Sequence, residues 1–374
     1  NYWHVISPDL QPMFSSLGYT INWTQLLDTG GTIFSDSLFQ IKNAVSEREL
    51  PTLLYDKVKD VEGGEEDSLS LYKNKLTMPF AVQTNTASLT ASADKFAAQN
   101  DLFRAVSGVE QPLITDVSSQ INNGMLSLAV TGGKKVIYFY GTNTSENPVT
   151  VYVDGQPVKI PASSYYENEQ YPNDFCNGLV CLGAFENKNV LIQFATSAPV
   201  TDLHVGVLDY TLLEQTASRL NTTGMQVEDL KQKHSGATFD VKNAEKGTIF
   251  IPVPFDKNWI CKVNGENVSD QVTSIDGMMG IPVAEGTNTI SIKYQAEGRV
   301  QGGIITLAAL LICCSVWLLN RRGFFERHTK NVQEAAAWIV FAVFVAACIV
   351  FVFAMFVIPA RQYMTTLSEM EDVN

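Results

Sequence analysis

Two long runs without a charged side chain constrain this 374-residue chain more than any other feature: residues 300–319 (VQGGIITLAALLICCSVWLL) and 335–360 (AAAWIVFAVFVAACIVFVFAMFVIPA). About 20 predominantly apolar residues wound as a helix cross about 30 Å of hydrocarbon, so each run is long enough to span a bilayer. The second exceeds a perpendicular crossing and is expected to tilt. The competing reading is a buried helical hairpin in a soluble protein. The link between the runs, residues 320–334, speaks against it, because it carries Arg321, Arg322, Arg327 and Lys330. Basic short links stay on the cytoplasmic side. These four residues therefore set the expected topology: a cytoplasmic loop at 320–334, with residues 1–299 and the acidic tail 361–374 outside. Trp317 and Trp338 fall near the cytoplasmic ends of their runs, where interfacial aromatics collect.

Charge separates the two parts of the chain. Residues 1–299 hold 21 Lys and Arg against 34 Asp and Glu, which accounts for the whole net charge of −13. A sequence pI near 4.8 argues against a nucleic-acid partner, and 45% hydrophobic with 17% charged residues is too apolar for disorder. The opening residues NYWHVISPDL have neither a basic nor an apolar region of a signal peptide. The expectation is that the chain is the C-terminal part of a longer multi-pass membrane protein; the alternative is a two-span surface protein.

Cysteines add little. Cys313, Cys314 and Cys348 lie in the apolar runs, Cys261 stands alone, and Cys176 with Cys181 brackets a four-residue loop as a candidate disulfide. The histidines His4, His204, His234 and His328 are scattered, so no metal site is expected.

From about residue 76 the chain is rich in short apolar runs (KKVIYFYG, VTVYVDG, NVLIQFAT, HVGVLDY, GTIFIPVPF, WICKVNG, TISIKYQ) separated by Gly, Asn, Asp and Pro. Such spacing indicates β-sandwich modules. An internal repeat supports this: YVDGQPV (152–158) matches KVNGENV (262–268), with Asp154-Gly155 and Asn264-Gly265 as hairpin turns. The expected fold is thus a mainly β extracytoplasmic region, with tandem sandwich-like modules and a small α/β N-terminal part, followed by two transmembrane helices. The boundaries read as 1–75 mixed α/β, 76–235 a first β module with a helical connection, 236–299 a second β module, and then the spans, loop and tail. Within these, Ser7 and Pro8 suggest a short helix stopped at Gly18, and a second helix is expected from Leu212 to Leu220 or on to Lys233.

The segments GTIFIPVPFDKNWICKVNGENV and GMMGIPVAEGTNTISIKYQAEGRVQGG before an apolar helix, together with LGYTINW, SDSLFQIKNAV, LYKNKLTMPFAV and FAAQNDLFRAVSG, resemble the YfhO family of bacterial membrane proteins in order and spacing. That resemblance implies a multi-pass GT-C-type glycosyltransferase that takes sugar from a polyprenyl-phosphate carrier and modifies cell-envelope polymers such as teichoic acid. It places the catalytic acids, often with a divalent metal, in loops of an N-terminal helical bundle. No catalytic residue, metal or cofactor is therefore assigned to this chain, and this part alone is expected to be inactive. The implied partners are membrane lipid, a polyprenyl-phosphate-linked sugar and an envelope glycopolymer. The alternative is a non-catalytic, membrane-anchored glycan-binding or scaffold protein.

Candidate glycan contacts follow from side-chain chemistry, since sugars present apolar C–H faces rimmed by hydroxyls. One set is Tyr165, Tyr166 and Tyr171, interleaved with amides and carboxylates in the insertion 163–175; its competing reading is a loop packed over the sandwich end. The other is Asp256, Asn258 and Trp259 in the turn PFDKNW, where the favoured reading of Trp259 is a strand-start residue packing in the sandwich. VEGGEED (61–67) reads as a solvated acidic turn. An acidic domain repels an anionic polymer unless cations or local basic patches intervene, and Lys134, Lys135, Lys231 and Lys233 are few for that purpose.

Overall fold

The computed structural model describes residues 4–5, 10–22, 25–46, 49–61, 69–84, 94–141, 149–158, 178–196, 203–233, 235–296, 298–322, 334–335, 337–341 and 344–345. The chain forms two compact units, Asn1–Gln295 and Ala296–Asn374.

The first unit opens with β1 (His4–Val5), α1 (Gln11–Ser16), β2 (Tyr19–Asn22), β3 (Gln25–Gly30), α2 (Ile33–Leu38), β4 (Asn43–Ser46), β5 (Tyr55–Val61) and β6 (Leu69–Asn74). These strands make two small antiparallel sheets, ordered β1-β3-β2 and β4-β6-β5. Helix α1 starts later than the Ser7-Pro8 signal suggests: Pro12 occupies its first turn, where a missing N–H costs nothing, and Ser7 and Pro8 lie outside the described residues. It does stop where Gly18 takes φ +82°. Helix α2 starts on a reciprocal cap between Thr32 and Ser35.

Next come β7 (Val82–Thr84), α3 (Lys95–Ser107), β8 (Ile114–Asp116), β9 (Met125–Gly141), β10 (Val149–Val153), β11 (Gln156–Pro157), β12 (Val180–Thr196), β13 (Leu203–Asp209) and α4 (Tyr210–Thr222). Asp94 caps α3 by accepting from the N–H groups of Phe96 and Ala97, and Gly108 ends it in the left-handed region. Helix α4 does not run on to Lys233; it ends at Thr222, and residues 226–233 are a strand. The remaining elements are β14 (Gln226–Lys233), β15 (Gly236–Ala244), β16 (Gly247–Pro254), β17 (Trp259–Val263), β18 (Glu266–Asn267), β19 (Thr273–Ile275), β20 (Met278–Val283), β21 (Gly286–Tyr294) and α5 (Arg299–Arg321).

The repeat in the sequence is a repeat in topology. In the C-terminal copy two antiparallel sheets, β14-β15-β21-β17-β18 and β19-β20-β16-β7, face each other across one core that includes Phe239, Val241, Ile249, Ile251, Cys261, Met279, Ile281, Ile290 and Ile292. In the N-terminal copy the pairs that correspond to β15/β16 and β20/β21 are fused into the 17-residue strands β9 and β12. Leu126 pairs with Ile192 in one half, and Phe139 with Val180 in the other. The ladder breaks between, at Glu186/Lys188, opposite the positive-φ glycines Gly132 and Gly133. Both expected hairpins form, with φ of 51° and 79° at Asp154-Gly155 and 53° and 86° at Asn264-Gly265.

The second half of β9 explains the uninterrupted apolar run. Ile137 and Phe139 point into the sandwich core with Val151, Val190 and Val205, whereas Val136, Tyr138 and Tyr140 point the other way, into a core built with α1 to α4. Each side chain of this kind contributes about 1.5–3 kcal/mol on burial. The Tyr138 hydroxyl accepts from the Ile33 N–H at 2.9 Å, satisfying a donor at the start of α2.

In the second unit, Gln301–Leu318 is long and apolar enough to cross a membrane, with a mean hydropathy of 1.9, and its side chains are not buried by other parts of the protein. Arg321 sits over the Trp317 ring at 5.4 Å. Most of the second apolar run lies outside the described residues, as do Arg327 and Lys330; the described residues from 334 to 345 are helical.

Three substitutions test this packing by chemical unfolding. Tyr138→Phe leaves the Ile33 N–H buried without a partner and is expected to cost about 1–3 kcal/mol. A Cβ at Gly30 would lie 2.3 Å from the Gly18 carbonyl oxygen at φ +94°, so Gly30→Ala should cost at least about 2 kcal/mol. At Gly155 a Cβ meets open space, and Gly155→Ala should cost about 1 kcal/mol.

Candidate functional site

Of the expected glycan contacts, Tyr165, Tyr166 and Tyr171 lie outside the described residues, as does Cys176; Cys181 is on β12, opposite Tyr138. The acidic stretch 62–67 is likewise outside.

The PFDKNW turn is described in full, and its polar groups are largely engaged within it. Asp256 Oδ1 accepts from the Asn258 N–H at 2.7 Å, and the Asp256 carbonyl accepts from the Trp259 N–H at 3.1 Å, which closes the turn. The Tyr294 hydroxyl lies 3.4 Å from Asp256 Oδ2, and the Asn258 carbonyl accepts from the Gln295 N–H. Trp259 donates its Nε1–H to the Pro254 carbonyl at 3.0 Å. Its ring meets Tyr294 edge-on at 5.2 Å and packs against the C-terminal sandwich core. Asp256 thus holds the turn together and Trp259 packs on the sandwich, while Lys257 is exposed at the tip.

A cleft of about 680 Å³ opens where α3 and α4 both end beside the C-terminal sandwich. Asp101, Arg104 and Glu110 line it from α3 and the segment after it, Arg219 from α4, Asn243 and Glu245 from the β15/β16 turn, and Gln83 from β7. Arg104 contacts Asp101 at 2.9 Å and Glu110 at 3.3 Å, and Arg219 donates to the Ser107 carbonyl at 2.6 Å, capping the last turn of α3. Gln83 donates to the Thr248 carbonyl at 3.2 Å, while its buried Oε1 has no hydrogen-bond donor among the described residues. Charge-paired guanidinium and carboxylate groups with nearby amides form a hydrogen-bonding surface of low net charge. Sequence reasoning missed this cleft because it is assembled from four separated segments. The signal for one wall was present: FAAQNDLFRAVSG runs from an Asp94 cap to a Gly108 stop with apolar residues at helical spacing.

A second cluster lies on the N-terminal sandwich, where Tyr140 stacks on His204 at 4.4 Å with Lys95 at 5.3 Å from its ring. Burial, reinforced by the Asp94 carboxylate, raises the Tyr140 hydroxyl above its usual range. Among the described residues no group of three or more His, Cys, Asp or Glu side chains comes together to hold a metal.

The family described as "Bacterial membrane protein YfhO" matches residues 1–306. No curated protein and no solved structure matches the chain.

Two measurements check the geometry. Asp256→Ala opens the turn and should cost about 1 kcal/mol, whereas Asp256→Asn keeps the Oδ1 acceptor and should cost less, as read by urea unfolding. Burial pushes the Cys261 thiol up to about 11 from 9.0, which lowers its thiolate fraction at pH 8 about a hundredfold. Peptide mapping after alkylation should therefore find Cys261 unmodified in the native protein and modified once it is unfolded.

Proposed function

Since the chain belongs to the YfhO family of bacterial membrane proteins, we propose that it is the extracytoplasmic and membrane-anchoring part of a glycosyltransferase that takes sugar from a polyprenyl-phosphate carrier and modifies a cell-envelope polymer such as teichoic acid. Residues 335–360 form the second span in this reading, with the link 320–334 cytoplasmic and the tail 361–374 outside. The observation that carries it is the family match, which runs through both β sandwiches and into the apolar helix. The cleft supplies a role for this part. Its paired charges and amides suit the hydroxyl rims of a glycan acceptor, which it would hold for a membrane-embedded catalytic bundle.

The test is transfer of labelled sugar from polyprenyl phosphate to teichoic acid by membranes containing the native protein. The double variant Arg104→Ala with Glu245→Ala is expected to raise the acceptor KM about tenfold with kcat kept, the pattern of a lost binding contact. Equal transfer by membranes with and without the protein would overturn the reading. Retained binding of the polymer in that case would support a glycan-binding protein instead.

A further inference from the structure

The acidic unit Asn1–Gln295 carries a lysine-lined face on its C-terminal sandwich, and register places it. On the outward face of the five-stranded sheet, Lys231 of β14, Thr238 of β15, Ser291 of β21 and Lys262 of β17 form one lateral row. Three strand spacings separate the two lysines, about 14 Å. In the next row toward the end of the sheet, Lys293 lies between Gly236 and Ile260. All three lysines are exposed, and none takes part in the ion pairs formed among the described residues. Some lysines elsewhere are paired: Lys242 at the opposite end of this sheet is held by Glu228 at 2.6 Å, Lys135 by Asp209 at 2.6 Å and Lys134 by Glu214 at 3.0 Å, whereas Lys42, Lys59, Lys73 and Lys246 are exposed but do not share this sheet face.

The lysine-bearing end is also where the chain leaves the sheet. Strand β21 ends at Tyr294 and the apolar helix begins at Arg299. Five peptide steps reach at most about 18 Å, whatever the orientation of the two units. The exposed Lys257 and the aromatic pair Trp259 and Tyr294 belong to this same end, with Trp259 opposite Tyr294 in the ladder. Of these, the lysines are the side chains that so short a tether lets reach a lipid headgroup layer, while Trp259 and Tyr294, on the core-facing parity of their strands, stay with the sandwich.

We infer that the outward face bearing Lys231, Lys262 and Lys293 is a docking surface for anionic phospholipid headgroups, which holds the C-terminal sandwich against the membrane. The short covalent tether to the apolar helix selects a lipid surface over a soluble polyanion. The inference stands apart from the transferase reading, because it requires only that the apolar helix be in a bilayer. A lysine patch within so long an outside region does not oppose the topology, since orientation follows from short links.

The full chain in nanodiscs tests it, with a water-soluble amine-acylating reagent and mass spectrometry of each lysine. Replacing part of the phosphatidylcholine with phosphatidylglycerol is expected to slow acylation of Lys231, Lys262 and Lys293 about fivefold each relative to Lys242, the factor given by about 1 kcal/mol per lysine at an anionic surface. High salt should restore the rates. Equal rates in the two lipid compositions would overturn the inference. Protection that appears only on adding soluble polyphosphate to phosphatidylcholine discs would overturn it too, and would assign the face to an anionic polymer.

Discussion

The burial of the second half of β9 on both faces is the interaction on which the rest of the first unit depends. Its odd residues, Ile137 and Phe139, complete the N-terminal sandwich, and its even residues, Val136, Tyr138 and Tyr140, form the floor on which the helices pack. Phe96 of α3 meets Tyr140 at 5.1 Å, and the N-terminus of α2 rests on the Tyr138 hydroxyl. A strand with water on one side could not organise two cores at once.

The same plan is built twice with one difference in covalent connection. The C-terminal sandwich splits its crossing strands with turns, so its two sheets are distinct; the N-terminal one keeps β9 and β12 whole and bends them between the sheets. The copies are then locked together by β7, which belongs to the sheet of the C-terminal sandwich although it precedes the N-terminal one in sequence: Phe250 pairs with Val82, and Phe80 packs edge-on against Phe239 at 5.4 Å. Asn221 ties the end of α4 to the same segment through the Thr77 carbonyl. The polar cleft is a consequence of that junction, since it lies where β7, both helix ends and the β15/β16 turn converge.

Much of this was legible in local chemistry. The hairpins at Asp154-Gly155 and Asn264-Gly265 follow from backbone conformations that only a few residue types adopt easily, and the apolar helix follows from length and hydropathy alone. What escaped was non-local. Continuous apolar runs announce burial but not whether strands are fused, so the 17-residue length of β9 and β12 could not be read from them. The insertion of β7 into a sheet whose other strands lie more than 160 residues later has no local signature. Residues 226–233 alternate too weakly to mark a strand, and their partner β15 decides their conformation. The functional consequence is the same: a turn such as PFDKNW can be found by eye, while a cleft made from four segments needs the fold.

Native-state hydrogen exchange of the β9 amides tests the central claim most directly. If burial on both faces makes this strand the common wall of two cores, the amides of residues 136–140 exchange only through global unfolding, with the free energy that denaturant unfolding gives for the whole unit. Exchange of these amides through a cheaper local opening, while the β15 and β21 amides stay protected, would contradict the account.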